Sequence, residues 1–414
     1  MNNETMLKIP AQSLPVKSHY DVAVVGGGIA GVSAAVAAAR EGASVCLIEK
    51  QVGLGGLATL GIVTYWLPIC DGRGRQVIGG IGEELLRLSV RDLKVENKEA
   101  HFFGVPACWE KRGNKEERRK KRFLTAFNPG WYTLALEEWV LNAGVDLMYD
   151  TRLSDVKRNR KGITHLVLEN KSGRFAISVG AVVDASGDAD VCYMAGEETE
   201  TSDANVAAGW FYYLKDGAAH LKMCSNGFNA QLDTSKLKCA HYDGTNGDDV
   251  TKQVIESHKI MRNACDALAA QNPESNIEPF YLPSIPCFRA TRRLVGEQSM
   301  TEGEMHKWFD DTVGLTGDWR RSGPVFAITM RMLRGVVNNN LIAAGRCFSM
   351  DKTIWDGARC IPTCAISGEA AGMAAAIAVK NKGGNIHRLP IRAFQRQMRA
   401  KGNLLSEKLV KEIE

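Results

Sequence analysis

The chain has 414 residues, a formal net charge of +5 and 45% hydrophobic residues, which are the values of an ordinary globular protein. The length predicts roughly two or three domains. Every apolar run of about 20 residues is interrupted by glycine, so we do not expect a membrane span. Eleven cysteines at no repeating spacing favour reduced thiols in a cytoplasmic protein. We expect residues 1–18, which lack an apolar core, to form a flexible tail rather than a signal peptide.

The first motif is a glycine turn between an apolar strand, Asp21–Val25, and a helix of small residues. Three glycines follow the strand at G-x-G-x-x-G spacing: Gly26, Gly28 and Gly31. The first allows a tight turn, the second lets a pyrophosphate approach the backbone, and the third lets helix and strand pack closely. The helix start, with Ile29 and Ala30, offers unpaired N–H groups to phosphates. Glu49 ends the next strand, where a carboxylate can bind a ribose. The sequence thus predicts an adenine dinucleotide site, for either NAD or FAD.

Later motifs favour FAD. A second glycine-rich loop directly follows Glu49, where an extended cofactor could run along bare backbone; its candidate contacts are Lys50, Gly55, Gly56 and Thr59. Two further strands end in small-residue turns, which supply the candidates Ala185, Ser186, Gly187, Asp190, Gly345 and Arg346. A helix opens behind Pro362, where proline suits a helix start and the dipole could stabilise a reduced flavin. Its candidate contacts are Cys364, Ala365 and Ile366.

The position of Cys364 suggests two interpretations. The helix dipole would lower the pKa of a thiol at this place, and the thiol could contact flavin. Alternatively, cysteine is present only because a small residue fits there.

Together these motifs resemble the FAD-dependent oxidoreductases of the glutathione-reductase-like superfamily. Within it, they are similar to a bacterial family loosely related to fumarate reductase and succinate dehydrogenase flavoprotein subunits. The resemblance runs from about residue 20 to about residue 380. It implies Glu49 on the adenosine ribose, Gly345 and Arg346 near the pyrophosphate and ribityl, and the Pro362 helix start under the flavin pyrimidine. The loop after Glu49 contains neither the histidine that holds FAD covalently in fumarate-reductase-type subunits nor a redox cysteine pair, so we expect non-covalent FAD.

The expected fold class is α/β, with a discontinuous Rossmann-type FAD-binding domain built on a parallel sheet and a mixed α+β substrate domain. A helix at Asn128–Gly144, a strand at Val145–Tyr149 and a hairpin at Gly162–Asn170 and Gly173–Val179 belong to the first domain. The predicted segments in chain order are the FAD-binding domain at 19–195 with a basic insertion at about 100–127, the substrate domain at 196–322, the rest of the FAD-binding domain at 323–380, and a helical tail at 381–414.

Two places could supply residues that face a substrate. Thr64 lies in the segment after the glycine loop, which should run beneath the flavin ring, although core packing explains a threonine there equally well. The second place is an arginine cluster: Arg289, Arg292 and Arg293. A guanidinium beside flavin would hold a carboxylate or phosphate. The alternative is a structural cluster that pairs with Glu297 and Glu302.

The sequence therefore predicts an FAD-dependent oxidoreductase that transfers a hydride between FAD and a small, polar or anionic molecule. No second dinucleotide motif is present, so the electron acceptor is unidentified, and no histidine–cysteine cluster predicts a metal. One alternative is an RNA-modifying flavoprotein that docks RNA through Lys111–Arg122, which holds eight cations and two acids. Because few aromatics interleave with these charges, a solvated loop is the preferred interpretation and nucleic acid is not the expected partner. A flavin electron-transfer subunit is disfavoured because no iron–sulfur cysteine cluster accompanies the motifs.

Overall fold

The computed structural model of the protein describes residue 7 and residues 10–94, 103–226 and 238–412. The strands are β1 (Val16–Val25), β2 (Val45–Ile48), β3 (Tyr65–Trp66), β4 (Thr125–Ala126), β5 (Asp146–Met148), β6 (Arg152–Asn159), β7 (Gly162–Asn170), β8 (Gly173–Asp184), β9 (Thr199–Thr201), β10 (Asn205–Val206), β11 (Ala208–Lys215), β12 (Ala218–Ser225), β13 (His241–Tyr242), β14 (Ile277–Tyr281), β15 (Arg292–Leu294), β16 (Thr312–Gly317), β17 (Val325–Thr329) and β18 (Leu341–Ala343). The α-helices are α1 (Ile29–Arg40), α2 (Ile81–Ser89), α3 (Pro129–Asn142), α4 (Asp190–Met194), α5 (Gly247–Gln271), α6 (Met330–Leu333), α7 (Lys352–Ala358), α8 (Ile361–Lys382), α9 (Ile391–Ala400) and α10 (Glu407–Val410).

A seven-stranded sheet forms the centre of the molecule. Its parallel part has the order β5-β2-β1-β8-β18. Counted in chain order this is 3-2-1-4-5, the strand order of a Rossmann-type fold. The predicted α/β class is confirmed.

Strand β8 joins the parallel and antiparallel parts of this sheet. One edge of β8 pairs with β1 throughout. On its other edge, residues 173–178 pair antiparallel with β7, and residues 182–184 pair parallel with β18. The predicted hairpin at Gly162–Asn170 is confirmed as β7 and the first half of β8.

The parallel strands are apolar because both of their faces are covered. Every residue of β2 is buried, as are Val22–Val25 of β1 and Ala181–Asp184 of β8. Such continuous apolar runs are typical of parallel strands with helices on both sides. The helix predicted after Asn128 is α3, and the Asn128 side chain caps it by accepting a hydrogen bond from the Trp131 backbone N–H at 3.1 Å.

Helices α1 and α8 pack against each other with their backbones in close contact. A Cβ on Gly368 would overlap the carbonyl oxygen of Ala30, and a Cβ on Gly372 would overlap that of Ala34. Among the described residues, α8 is the one helix long and apolar enough to cross a membrane, but 89% of its most apolar window is buried inside the protein. Its apolar character therefore serves the core.

The second unit is smaller than the predicted substrate domain. Strands β12, β11 and β14 form an antiparallel sheet against α5, around a separate cluster of Phe211, Cys224, Met261 and Cys265. From residue 290 onward the chain returns to the main hydrophobic core, which includes Leu294, Met300, Val313 and Leu315. The separate core thus ends well before residue 322.

Both ends of the chain are more ordered than the sequence suggested. Strand β1 begins at Val16, which pairs with Ala176, so the described end of the predicted 1–18 tail is part of the sheet. The predicted C-terminal tail is partly helical and is docked on the body. Its buried residues Phe394, Met398 and Val410 belong to the main core.

The helix crossing provides a test of this fold. Gly372→Ala should destabilise the protein by about 1–3 kcal/mol, because its methyl group must push two helix backbones apart. The measurement is the melting temperature of the FAD-loaded protein. Gly247→Ala at the start of α5 is the control, since no described atom lies within 4 Å of the added methyl group. Equal melting temperatures for the two variants would contradict the close helix contact.

Candidate functional site

The glycine turn has the geometry that its spacing predicted. Gly26 adopts a φ of +103°, which other residues rarely accept, and its Cβ would overlap the Ala185 carbonyl oxygen. A Cβ on Gly31 would overlap the carbonyl oxygen of Gly26, so only glycine fits at this position in the first turn of α1. Gly28 is different. Apart from Gly28 and its two chain neighbours, no described atom lies within 4 Å of the place where its Cβ would be.

Glu49 and the second glycine loop close around this turn. The buried Glu49 carboxylate accepts hydrogen bonds from the backbone N–H of Gly27 at 2.6 Å and of Gln51 at 2.8 Å. The N–H of Gly55 donates to the Gly27 carbonyl oxygen at 2.8 Å. A Cβ on Gly56 would lie 3.2 Å from the Gly28 Cα. The two glycine loops therefore lie against each other, with the acid between them.

The turn after β8 is held by its own carboxylate. Asp184 accepts from the Ser186 hydroxyl at 2.6 Å and from the Cys192 backbone N–H at 2.9 Å. These bonds fix the start of α4, where Ala189 adopts a left-handed φ of +52°. A non-glycine residue in that region costs of order 1–3 kcal/mol and is usually found at functional positions.

Arg346 connects the third turn with this one. Its guanidinium lies against Gly187, where a Cβ would be 2.6 Å from the Arg346 Cζ, and it pairs with Asp188 at 3.0 Å. Among the described residues, the buried Nε of Arg346 has no hydrogen-bond partner. The arginine thus keeps one donor for a further acceptor beside the glycine turns.

The start of α8 reaches the same place. The Gly345 N–H donates to the Ser367 hydroxyl at 3.0 Å. A Cβ on Gly345 would lie 2.8 Å from the Ala30 Cβ and 3.8 Å from the Cys364 Sγ. Ala365 and Ile366 are buried at the beginning of this helix, and Pro362 is in its first turn. The structure thus brings together the amino-terminal turn and the late helix start, which are more than 300 residues apart.

These features fit a dinucleotide with a flavin. The open space at Gly28 can accept a pyrophosphate against bare backbone, the start of α1 supplies N–H donors, and the free Nε of Arg346 supplies another. A model of the FAD-dependent oxidoreductase family matches residues 21–209 and 210–398. The chain belongs to this family. FAD is the cofactor of this enzyme.

Solved structures show distant likenesses. A geranylgeranyl bacteriochlorophyll reductase-like protein from Thermoplasma acidophilum is 14% identical, with 95% of this chain and 90% of that chain covered and a TM-score of 0.44. The p-nitrophenol 4-monooxygenase of Pseudomonas putida is 11% identical, with 93% and 89% covered and a TM-score of 0.44. No match is found among curated protein sequences.

The prediction of a lowered thiol pKa at Cys364 is wrong. Burial, with a smaller contribution from Cys360, raises the pKa of the Cys364 thiol to about 12. The thiol donates to the Arg359 carbonyl oxygen at 3.4 Å. Desolvation outweighs the opposing effect of the Arg346 and Arg359 guanidiniums, so Cys364 is a neutral thiol at physiological pH.

Thr59 and Thr64 lie on either side of a strained residue in the segment after the glycine loop. Thr59 donates to the Leu54 carbonyl oxygen, which closes the loop. Ile62 is fully buried and has a φ of +58°, an outlier for a β-branched residue. The buried Thr64 hydroxyl lies 3.4 Å from the Tyr212 hydroxyl of β11. Thr64 therefore meets the second unit, at the kind of junction where substrate sites often occur.

Arg292 and Arg293 both form ion pairs within the protein. Arg292 pairs with Asp190 at 2.6 Å and donates to the Asp188 carbonyl oxygen at 2.9 Å. Arg293 pairs with Glu200 at 2.5 Å. Burial and two neighbouring carboxylates raise the pKa of Asp190 to about 6.

For Arg292 and Arg293, the partners that the structural alternative named are wrong. Glu297 pairs with Arg334 and His387 instead, and Glu302 pairs with Arg321. Arg292 and Arg293 are tied to acids of the cofactor turn and of β9, which are closer in space.

The basic segment Lys111–Arg122 is partly structural. Arg118 donates to the Cys108 carbonyl oxygen at 2.7 Å, and Arg122 donates to the Trp319 carbonyl oxygen at 2.7 Å. The remaining cations of the segment are exposed: Lys111, Arg112, Lys115, Arg119, Lys120 and Lys121. In the described part of the chain, no group of three or more metal-ligating side chains is assembled.

Sequence reasoning missed three residues of this site. Tyr212 lies in an ordinary strand, and only the folded arrangement brings it to Thr64. Ser367 orients the Gly345 turn from one helical turn inside α8. Asp188 lies between the predicted contacts Gly187 and Asp190, and its pairing with Arg346 could have been suspected from the charges of the two turns.

The open space at Gly28 gives a direct test. Gly28→Val should fold, because Gly28 has ordinary extended backbone angles and its side chain would meet no described atom. It should weaken FAD binding by roughly tenfold or more, about 1.4 kcal/mol, since the side chain occupies the pyrophosphate position. Bound flavin is measured by absorbance, and folding by the melting temperature of the cofactor-free protein. Gly247→Val is the matched control, and normal FAD content in Gly28→Val would contradict the site.

Proposed function

We propose that this enzyme transfers a hydride between non-covalently bound FAD and a small, polar or anionic organic substrate. The observation that carries the proposal is the meeting of three backbone turns, at Gly28, Gly56 and Gly345, with the start of α8. Bound FAD supplies two-electron redox chemistry. The protein must then hold the cofactor, orient the substrate and exclude water.

Non-covalent binding is supported by the loop after Glu49. The segment Lys50–Gly61 contains no histidine that could form a bond to FAD. Gly55 and Gly56 of this segment lie against the first turn, an arrangement that suits an extended cofactor. We therefore propose a place within the glutathione-reductase-like superfamily, distantly similar to fumarate reductase flavoprotein subunits.

Thr64 and Tyr212 are the proposed substrate-facing groups. Burial raises the pKa of Tyr212, so its hydroxyl remains protonated at neutral pH and can donate a hydrogen bond. The two hydroxyls come from different units, and Thr64 is two positions from strained Ile62, where a fixed backbone would hold Thr64 in one orientation. A polar group of the substrate could be held between them.

Arg292 and Arg293 enter the proposal as positioning residues. Arg292 holds the turn at Asp188 and Asp190, and this turn also contacts Arg346. An anionic substrate would have to compete with the existing carboxylate partners of these arginines. Their replacement should therefore disturb the cofactor turn as well as any substrate contact.

The electron acceptor and the cellular location are also proposals. We propose a separate acceptor, because the sequence shows no second dinucleotide motif. A cytoplasmic location is supported by the eleven cysteines, none of which forms a disulfide.

The central experiment is an absorbance spectrum of the purified protein, followed by anaerobic titration with hydroxy acids, sugars and amines. We expect a flavin spectrum, release of the flavin on denaturation, and bleaching by one of these classes. Flavin that stays with the precipitated protein would refute non-covalent binding. Protein that is colourless and takes up no added FAD would refute the proposal.

Thr64→Val and Tyr212→Phe test the substrate side. Each variant should keep FAD and lower kcat/KM for the bleaching substrate by up to roughly tenfold, the effect of losing one hydrogen bond of about 0.5–1.5 kcal/mol. The effects should not add in the double variant, because the two hydroxyls contact each other. Tyr281→Phe, on the strand paired with Tyr212, is the control. Unchanged kinetics in both variants would remove this pair from the site.

A further inference from the structure

A cavity lies among the helices of the FAD-binding domain, away from the glycine turns. Its volume is about 260 Å³. Its walls come from the C-terminal end of α1, the start of α2, the middle of α8 and the residue after α9. The lining residues are Ala37, Arg40, Gly80, Ile81, Glu84, Glu369, Met373 and Lys401.

Both cations of this cavity already have acidic partners. Arg40 forms a two-pronged ion pair with Glu84 at 2.8 and 2.7 Å. Lys401 pairs with Glu41 at 2.9 Å. Each pair is close to neutral, so the cavity holds one further acid that no ion pair matches, although Arg40 lies near enough to stabilise its charged form.

Glu369 is that other acid. Glu369 is only 2% exposed, and among the described residues no cation forms an ion pair with it. It accepts hydrogen bonds from the Ile81 backbone N–H and from the Asn403 amide, each at 2.9 Å. A buried carboxylate without a cationic partner is costly, so the site favours a cation.

A second buried polar atom, beside the lining residues Gly80 and Glu369, also lacks a donor. Asn403 is only 4% exposed, and within the described residues its Oδ1 has no hydrogen-bond partner. This oxygen lies 2.9 Å from the position that a Cβ on Gly80 would take, at the cavity wall. The cavity is thus lined by a buried acid, and an unpaired amide oxygen lies next to that acid behind Gly80.

We infer that this cavity binds a compact organic cation with N–H donors, an alkylammonium or a guanidinium, with Glu369 as its counter-ion. Ala37, Ile81 and Met373 supply an apolar surface for a short carbon chain. The volume is several times the roughly 30 Å³ that a water molecule occupies in the liquid, so the cavity has room for such a molecule. The inference does not depend on the reaction at the flavin.

The inferred site has a defined pH dependence. Burial raises the pKa of Glu369 to about 7; Glu84 contributes to the increase, while Asn403, Ile81 and Arg40 oppose it. Below pH 7 the carboxyl is mostly protonated, and a cation must displace that proton to bind. Affinity should therefore rise roughly tenfold from pH 6 to pH 8, because the ionised fraction rises by that factor for a pKa of about 7.

The test uses isothermal titration calorimetry of the FAD-loaded enzyme with methylammonium and methylguanidinium chlorides at pH 6 and pH 8. Acetate is the anionic comparison, and sodium chloride keeps the ionic strength constant. We expect one cation per chain, roughly tenfold weaker binding at pH 6, and proton release at pH 6. Proton release is read from the dependence of the heat on the buffer.

Variants separate the site from adventitious binding. Glu369→Gln should abolish cation binding and its pH dependence, and Ala37→Leu should block binding by filling the cavity. Glu83→Gln, on the same helix as Glu84 but paired with Arg87 outside the cavity, should bind as the parent does. FAD content and melting temperature report folding. If Glu369→Gln does not fold, the result for Ala37→Leu decides between the outcomes. No binding of either cation at pH 8, equal binding by acetate, or unchanged binding in a folded Glu369→Gln or Ala37→Leu would overturn the inference.

Discussion

The architecture depends on how closely backbones approach one another around α1. Glycine removes the Cβ at each of these contacts: Gly31 lies against the Gly26 carbonyl, and Gly368 and Gly372 lie against the carbonyls of α1. Because α8 is seated directly on α1, the two helix starts share one side of the sheet. The open space at Gly28 and the start of α8 are therefore neighbours, and the cofactor site follows from that placement.

Local backbone requirements explain why much of this could be predicted from sequence. A tight turn needs positive φ at Gly26, and parallel strands covered on both faces read as apolar runs. Such demands leave marks within a few residues, so the glycine turns and the buried parts of the parallel strands were predicted, although β1 begins at Val16 and not at Asp21. No local sequence signal shows where the second unit ends. Residues after 290 are mixed in composition, and only packing shows that they join the main core.

Contacts between distant segments explain what the sequence did not reveal. Thr64 and Tyr212 are 148 positions apart, and neither has a spacing that points to the other. The arginine cluster was visible, but the choice among many acids depends on the three-dimensional arrangement. Asp190 and Glu200 lie beside Arg292 and Arg293, whereas Glu297 and Glu302 face other cations.

Negative charge is stabilised in different ways at the two ends of the α1–α8 pair. At the cofactor end, Arg346 is already paired with Asp188, so it contributes a hydrogen-bond donor while adding little net positive charge. The anionic pyrophosphate must then be held mainly by backbone N–H groups at the start of α1. This makes a bare backbone at Gly28 essential, because a phosphate cannot reach those donors past a side chain. At the other end, the buried Glu369 has hydrogen bonds but no cationic partner among the described residues. One end thus meets negative charge with fixed dipoles, whereas at the other end the inferred cation would balance Glu369 when its carboxyl is ionised.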